Sequence, residues 1–419
     1  MLLALYLVNV ILSILVLTYA SQRIYGEPLS PVSLFFAVNI ASFGLYRMEL
    51  VTLYPPSTTL YVVFVMVLFA FLVGALLADP QLLRSGRSAL DCACSRRVDD
   101  TRLVKRFYFF TGFLGLTGWV LLGYLFFRRI PFMVLTGNLY LLEDRFQSVQ
   151  FIGYLNVLNV LVLPTFVYLW KRCGYVSTAS VAVLASAVLG LLLAGIKSYI
   201  VFGVVAAFLT HFSFNRSFSS VLRFGGLVLV IFGFFTVYDI VIDIYLPLAS
   251  QQVWVAPYLY VAGPWPALDQ LLAHPAHAPG YWGVHLFYDF WKVWNLFYPD
   301  ASFPSYVLDF TQVPTRFNVY TMNGESYLDF GYPGVFLFTL FLGFLAMRAR
   351  LSAVRTDRFT SHLTSGMMGY FLFMSFFVNF LTHFYCLVMF LYIACWRLGE
   401  TRFLGQRPGG GMVRLGEVT

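Results

Sequence analysis

Apolar runs alternate with short polar breaks along nearly the whole chain, and many approach the ~20 residues that a helix needs to cross a bilayer. Eleven spans are predicted, near 2–20, 32–46, 60–78, 107–127, 151–170, 178–195, 199–213, 224–245, 331–347, 365–381 and 384–397. Backbone in lipid must hydrogen-bond to itself, so these runs read as helices; the short alternating strands of a barrel do not occur. The pair of runs around Lys197 reads either as a hairpin or as one long broken element. The expected fold is an all-α polytopic integral membrane protein with about 11 transmembrane helices. It forms one domain over 1–404 that includes a large outer loop, 246–330, and ends in a disordered tail, 405–419, containing GQRPGGG. The opening MLLALYL lacks the basic stretch of a signal peptide and reads as a retained helix.

Charge orients these spans. With the Arg84–Arg106 loop in the cytoplasm, 20 of the 27 Lys and Arg fall inside, which places the N-terminus outside and the C-terminus inside. The net charge of +8 therefore reflects cytoplasmic loops rather than a nucleic-acid partner. Seven cations break the trend: Arg47, Arg128, Arg129, Arg145, Lys197, Lys292 and Arg316. Arg47, Arg128, Arg129 and Lys292 read as ordinary interfacial charge. The five cysteines, Cys92, Cys94, Cys173, Cys386 and Cys395, all avoid the outer segments, so no disulfide framework is expected.

The outer loop holds five of the eight Trp, nine of the eighteen Pro and three of the six His. Such a segment packs rather than remaining disordered, and short helices capping a cavity are expected. Its YLYVAGPWPALD stretch offers Tyr258, Tyr260 and Trp265 as flat faces for sugar rings. His274, His277 and His285 lack the mutual spacing of a metal triad, and no metal site is expected. No GxxxxGK[ST], paired CxxC or HExxH occurs, so nucleotide and zinc hydrolysis have no motif support.

The densest chemistry lies in RFNVYTMNGESYLDFGYPG, Arg316 to Gly334. Arg316 suits a phosphate, Asn318 and Asn323 suit hydroxyls, and Tyr320 and Tyr327 can stack or donate. Glu325 and Asp329, four apart, share a helical face; either serves as a general base, or both simply begin the helix expected at Gly331. Arg145 forks onto a phosphate or is neutralised by Glu143 and Asp144. Lys197, between apolar runs, holds a phosphate as a point charge or is an interfacial turn lysine. Asp239 and Asp243 share one face of the eighth span and read as an ion-pair partner. His383 sits at the expected outer turn before the last span.

Three of these stretches, NVYT followed by YLDFGYPG, YVAGPWPALD and AGIKS, resemble the Wzy-type O-antigen polymerases, or oligosaccharide repeat-unit polymerases. The resemblance implies a GT-C-like glycosyltransferase architecture in the bacterial inner membrane with its active site facing the periplasm. It implies transfer of a growing glycan from undecaprenyl pyrophosphate onto the terminal sugar of a new lipid-linked unit. No cofactor is implied; the partners are lipid-linked glycans, membrane lipids and a chain-length regulator protein. On this reading Arg145, Lys197 and Arg316 stabilise the departing diphosphate, Glu325 is the first candidate base and Asp329 the second. His285 and His383 join the asparagines and aromatic residues as substrate contacts. An O-antigen ligase, a lipid-linked oligosaccharide flippase or transporter, and a noncatalytic envelope-assembly partner are the alternatives.

Overall fold

A computed structural model describes residues 2–85, 101–129, 155–193, 197–227, 229–230, 233, 255–274, 283–295, 311–313, 316–381 and 383–405. The architecture is that of an all-α membrane protein. The helices are α1 (Leu2–Tyr25), α2 (Pro31–Arg47), α3 (Thr58–Ala78), α4 (Pro80–Ser85), α5 (Thr101–Arg129), α6 (Asn159–Cys173), α7 (Thr178–Leu193) and α8 (Lys197–Phe212). Then come α9 (Val255–Ala262), α10 (Pro264–Ala273), α11 (Tyr288–Asn295), the two-residue strands β1 (Thr311–Gln312) and β2 (Arg316–Phe317), α12 (Gly324–Thr356), α13 (Phe359–Met374) and α14 (Phe384–Gly405). Helices occupy ten of the eleven positions read from hydropathy; the eighth, 224–245, lies mostly outside the described residues. Four helices, α1, α3, α5 and α12, are long and apolar enough to cross a membrane on their own. Leu7, Leu15 and Val16 on α1, Val62, Val65 and Phe69 on α3, and Phe113 and Val120 on α5 are exposed, as lipid-facing positions are.

Small residues set the closest helix contacts. A methyl group added at Gly74 on α3 would collide with the Leu340 carbonyl of α12, and one at Gly343 would collide with the Phe71 carbonyl. The two backbones touch because neither carries a side chain there, the usual way that helices associate in lipid. Gly74→Ala is expected to push the pair apart and cost about 1–3 kcal/mol. A lower melting temperature of the detergent-purified protein is the readout, and an unchanged one would contradict this packing.

The bundle has two chemically different ends. Arg23, Arg102, Lys105, Lys171, Arg172, Arg348, Arg350 and Arg355, in helices, and Arg216 and Arg358, in the connections beside them, lie at one end of the bundle. There Glu27, wholly buried, is paired with Arg350 and Arg216, and Asp357 with Arg172 and His362. Lys105 stacks on the Tyr175 ring, 3.3 Å from its centroid. The opposite end is built from the α2–α3 loop, the α9–α10 segment, β1–β2, the start of α12 and the α13–α14 connection.

Candidate functional site

At that second end α9 and α10, which follow one another through the helical Gly263 with almost no change of direction, are fixed to α2 and α3 by their polar groups. Asp269 accepts hydrogen bonds from the backbone N–H (2.8 Å) and hydroxyl of Ser57, the residue whose Oγ caps α3 by accepting from Leu60 N–H. Trp265 Nε1 donates to Ser42 Oγ at 2.8 Å, and Ser42 in turn donates to the Val261 carbonyl. The Trp265 ring is completely buried, edge-on to Phe43 and Phe64. Tyr258, also buried, donates to the Leu45 carbonyl at 3.0 Å. Trp265 and Tyr258 thus hold α9 and α10 in place. Tyr260 is exposed, its ring 5.7 Å from that of Phe377.

Beside α10, the segment of densest chemistry folds back on itself. Helix α12 starts at Gly324 rather than Gly331, and at Gly331 its backbone leaves helical geometry (φ 65°, ψ −152°). The Thr339 hydroxyl donates to Asn323 Oδ1 at 3.2 Å, although the two residues are 16 apart. In one straight helix they would stand about 24 Å apart. The short limb, residues 324–330, therefore runs antiparallel to the long limb, and Gly331 is the elbow. Gly334 allows this, because a Cβ there would strike the Ser326 carbonyl and Phe330. Asn323 consequently sits level with Thr339, about 12 Å along the long limb from the elbow.

A second bond network gives the same depth. Asn39 on α2 donates to Ser375 Oγ at 2.8 Å, and the Ser375 carbonyl accepts from Met322 N–H at 3.0 Å. Asn39 lies about 12 Å along α2 from its Arg47 end. Thr321, Met322 and Asn323, non-helical and buried, thus lie well inside the bundle. Non-helical backbone inside a membrane protein persists only where protein or water covers it. The expected span 365–381 ends early, at Met374, and residues 375–381 continue as irregular chain beside this segment.

Several residues read from the sequence meet here. Glu325 Oε2 accepts from Asn379 Nδ2 at 3.0 Å. Asn323 is buried, and its Nδ2 has no hydrogen-bond partner among the described residues. Tyr320 is buried, its Cβ facing Gly324. His383 packs between Phe380 and Tyr385, and Tyr385 lies 5.2 Å from the Tyr199 ring on α8. Lys197, the first residue of α8, is two positions from Tyr199, and its neighbour Ser198 accepts from Tyr370 Oη at 3.3 Å. The start of α8 therefore packs beside the His383–Tyr385 stretch.

Four residues along the short limb, Asp329 faces a different partner. Its buried carboxylate accepts from the backbone N–H groups of His285 (3.1 Å) and Leu286 (2.7 Å), and Oδ1 lies 2.8 Å from His285 Nδ1. Tyr327, buried beside it in sequence, sets its ring edge-on to Tyr332 at 5.3 Å. Asn318 is half-buried between β2 and this limb, and Arg316 begins β2, paired with Gln312 across the two-stranded ribbon. Arg145, Asp239 and Asp243 lie outside the described residues. Among the described residues, no three His, Cys, Asp or Glu side chains converge as a metal ion would require.

Sequence reading did not single out Asn39, Thr339, Ser375 or Asn379. Polar residues inside apolar runs were the available signal, and Asn379 lay within a predicted span. No protein-family profile, curated protein or solved structure matches the chain.

Proposed function

We propose that this protein is a metal-independent membrane glycosyltransferase that joins undecaprenyl-pyrophosphate-linked repeat units at the periplasmic face. The growing glycan leaves its lipid carrier and is transferred to the terminal sugar of a new lipid-linked unit. In this reading eleven spans form a GT-C-like body, the basic end faces the cytoplasm, and the polar cluster faces the periplasm. The observation that carries it is that cluster: polar side chains on buried irregular backbone, opposite the basic end and beside a folded-back helix. With the basic end inside, the cluster would lie on the side where a flipped, lipid-linked sugar resides. The exposed aromatic residues Tyr260, Phe287 and Tyr332 suit sugars and headgroups at an interface. Arg145, Lys197 and Arg316 stabilise the charge that develops on the diphosphate, without a metal. Glu325, held by Asn379, and Asn323 fix the acceptor sugar.

The test is the purified, reconstituted protein supplied with lipid-linked repeat units alone. A ladder of longer glycans is the expected product. Transfer that requires added lipid A core supports the ligase instead, and translocation of unchanged lipid supports a flippase. Arg316→Ala is expected to lower ladder formation by about 100-fold or more at unchanged expression; normal chain length in that variant removes Arg316 from the site. The ladder should also survive EDTA, whereas a strict divalent-cation requirement would contradict catalysis by fixed cations.

A further inference from the structure

The proposed function leaves the contact between His285 and the buried Asp329 without a part in the chemistry. Asp329 is fully enclosed, and three hydrogen bonds from two successive residues fix both of its oxygens. Gly283 (φ 72°) turns the chain so that residues 285 and 286 point their N–H groups at the carboxylate. Asp329 Oδ1 lies beside Nδ1 of the ring, which selects the tautomer with the proton on Nδ1. The lone pair is then on Nε2, for which no hydrogen bond occurs among the described residues. The His285 side chain is 12% exposed, so the ring is mostly enclosed but reaches solvent.

Around this edge the surface is aromatic. Phe287, Phe290 and Trp294, spaced three and four apart, are exposed at and along α11, and Tyr332 is exposed just past the elbow. A short helix with such a stripe lies at a bilayer interface. An oriented imidazole at that level would stand where the sugar of a membrane-bound lipid presents a hydroxyl.

We infer that His285 is the general base of the glycosyl transfer and that Asp329 is its positioning residue; this rests on the polymerase reading. His285 Nε2 takes the proton of the acceptor hydroxyl. That oxygen forms the new bond to the anomeric carbon of the donor, the carbon–oxygen bond to the pyrophosphate breaks, and its electron pair leaves with the diphosphate. Asp329 holds the imidazolium that results. Glu325, engaged by Asn379, orients substrate instead of taking the proton.

The experiment uses the full chain in proteoliposomes, with lipid-linked repeat units extracted from cells in which this gene has been deleted. His285→Gln should lower kcat by about 100-fold or more with KM changed less than about 3-fold. Added imidazole should restore part of the activity of His285→Ala, which a merely structural histidine would not permit. Asp329→Asn should lower kcat about 10-fold in the native background and cause no further loss in His285→Gln. Diethyl pyrocarbonate on the unmutated protein covers the case of misfolded variants, because loss of ladder should track acylation of His285 read by peptide mass. A native protein that forms ladders while His285→Gln keeps more than about a third of kcat, or while His285 is fully acylated, overturns this inference and leaves the polymerase standing. A native protein that forms no ladder overturns both.

Discussion

Replacing Arg350 with Met is expected to destabilise the protein by about 3–5 kcal/mol. Arg350 Nε lies 2.9 and 3.2 Å from the two Glu27 oxygens, Nη2 also bonds Glu27, and Nη1 donates to Ser213 Oγ at 2.6 Å. The pair is sealed: the side chains are 5% and 0% exposed. Met fills comparable space but leaves Glu27 with only Arg216, 3.6 Å away and 30% exposed. The cost is that of a buried carboxylate losing most of its partners, not of a lost contact. The pair links the α1–α2 connection to the far ends of α8 and α12, so its loss should loosen the whole basic end. A cavity of about 30 Å³, with room for about one water, borders Arg350 beside Leu34, Phe212 and Met368. Thermal melts in detergent check the single variant. The double variant Glu27→Gln/Arg350→Met, which removes the buried charge as well, should recover more than half of the loss. A single variant as stable as the native protein would mean that Glu27 is not buried as described.

Glu27 and Arg350 are 323 positions apart, and nothing local to either announces the other. The sequence could place both at the basic end, because hydropathy fixes where helices run and charge fixes which ends share a side. It could not pair them. The same division runs through the candidate site. The stretch Arg316–Gly334 stood out by composition, and the short limb that carries Glu325 and Asp329 does share a helical face, as i, i+4 spacing requires. What spacing cannot express is a reversal of direction. YLDFGYPG reads equally well as acids leading into a helix and as a helix that folds back, and only the φ and ψ of Gly331 choose. Aromatic composition is ambiguous in a similar way: Trp265 packs against α2 and α3 and Tyr260 is exposed, although both lie in one stretch of Tyr, Pro and Trp. Asn379 was hidden because a single amide in SFFVNFL does not interrupt an apolar run enough to mark a helix end.

Gly331→Ala is expected to reduce polymerisation by about 100-fold while lowering stability by only about 1–3 kcal/mol. The reasoning turns on what the elbow positions. At φ 65° and ψ −152° Gly331 occupies backbone space that is essentially closed to residues with a Cβ. Space is not the obstacle, since an added Cβ would find only Pro333 Cδ, 3.9 Å away. The strain is purely conformational, and the chain would relieve it by opening the angle between the limbs. That rotation moves Glu325, Asp329 and Asn323 together relative to Asn379, His285 and Thr339, which lie across the elbow or on other elements. A shift of about 1 Å in such a constellation is enough to remove two orders of magnitude in rate. The proper comparison is Gly74→Ala, which costs similar stability at the α3–α12 contact while leaving the elbow torsions alone. Measured side by side as ladder formation against melting temperature, Gly331→Ala should fall far below Gly74→Ala in rate at a similar melting temperature. Equal losses of rate in the two variants would show that the elbow serves only to close the helix pair, and would place the chemistry elsewhere in the molecule.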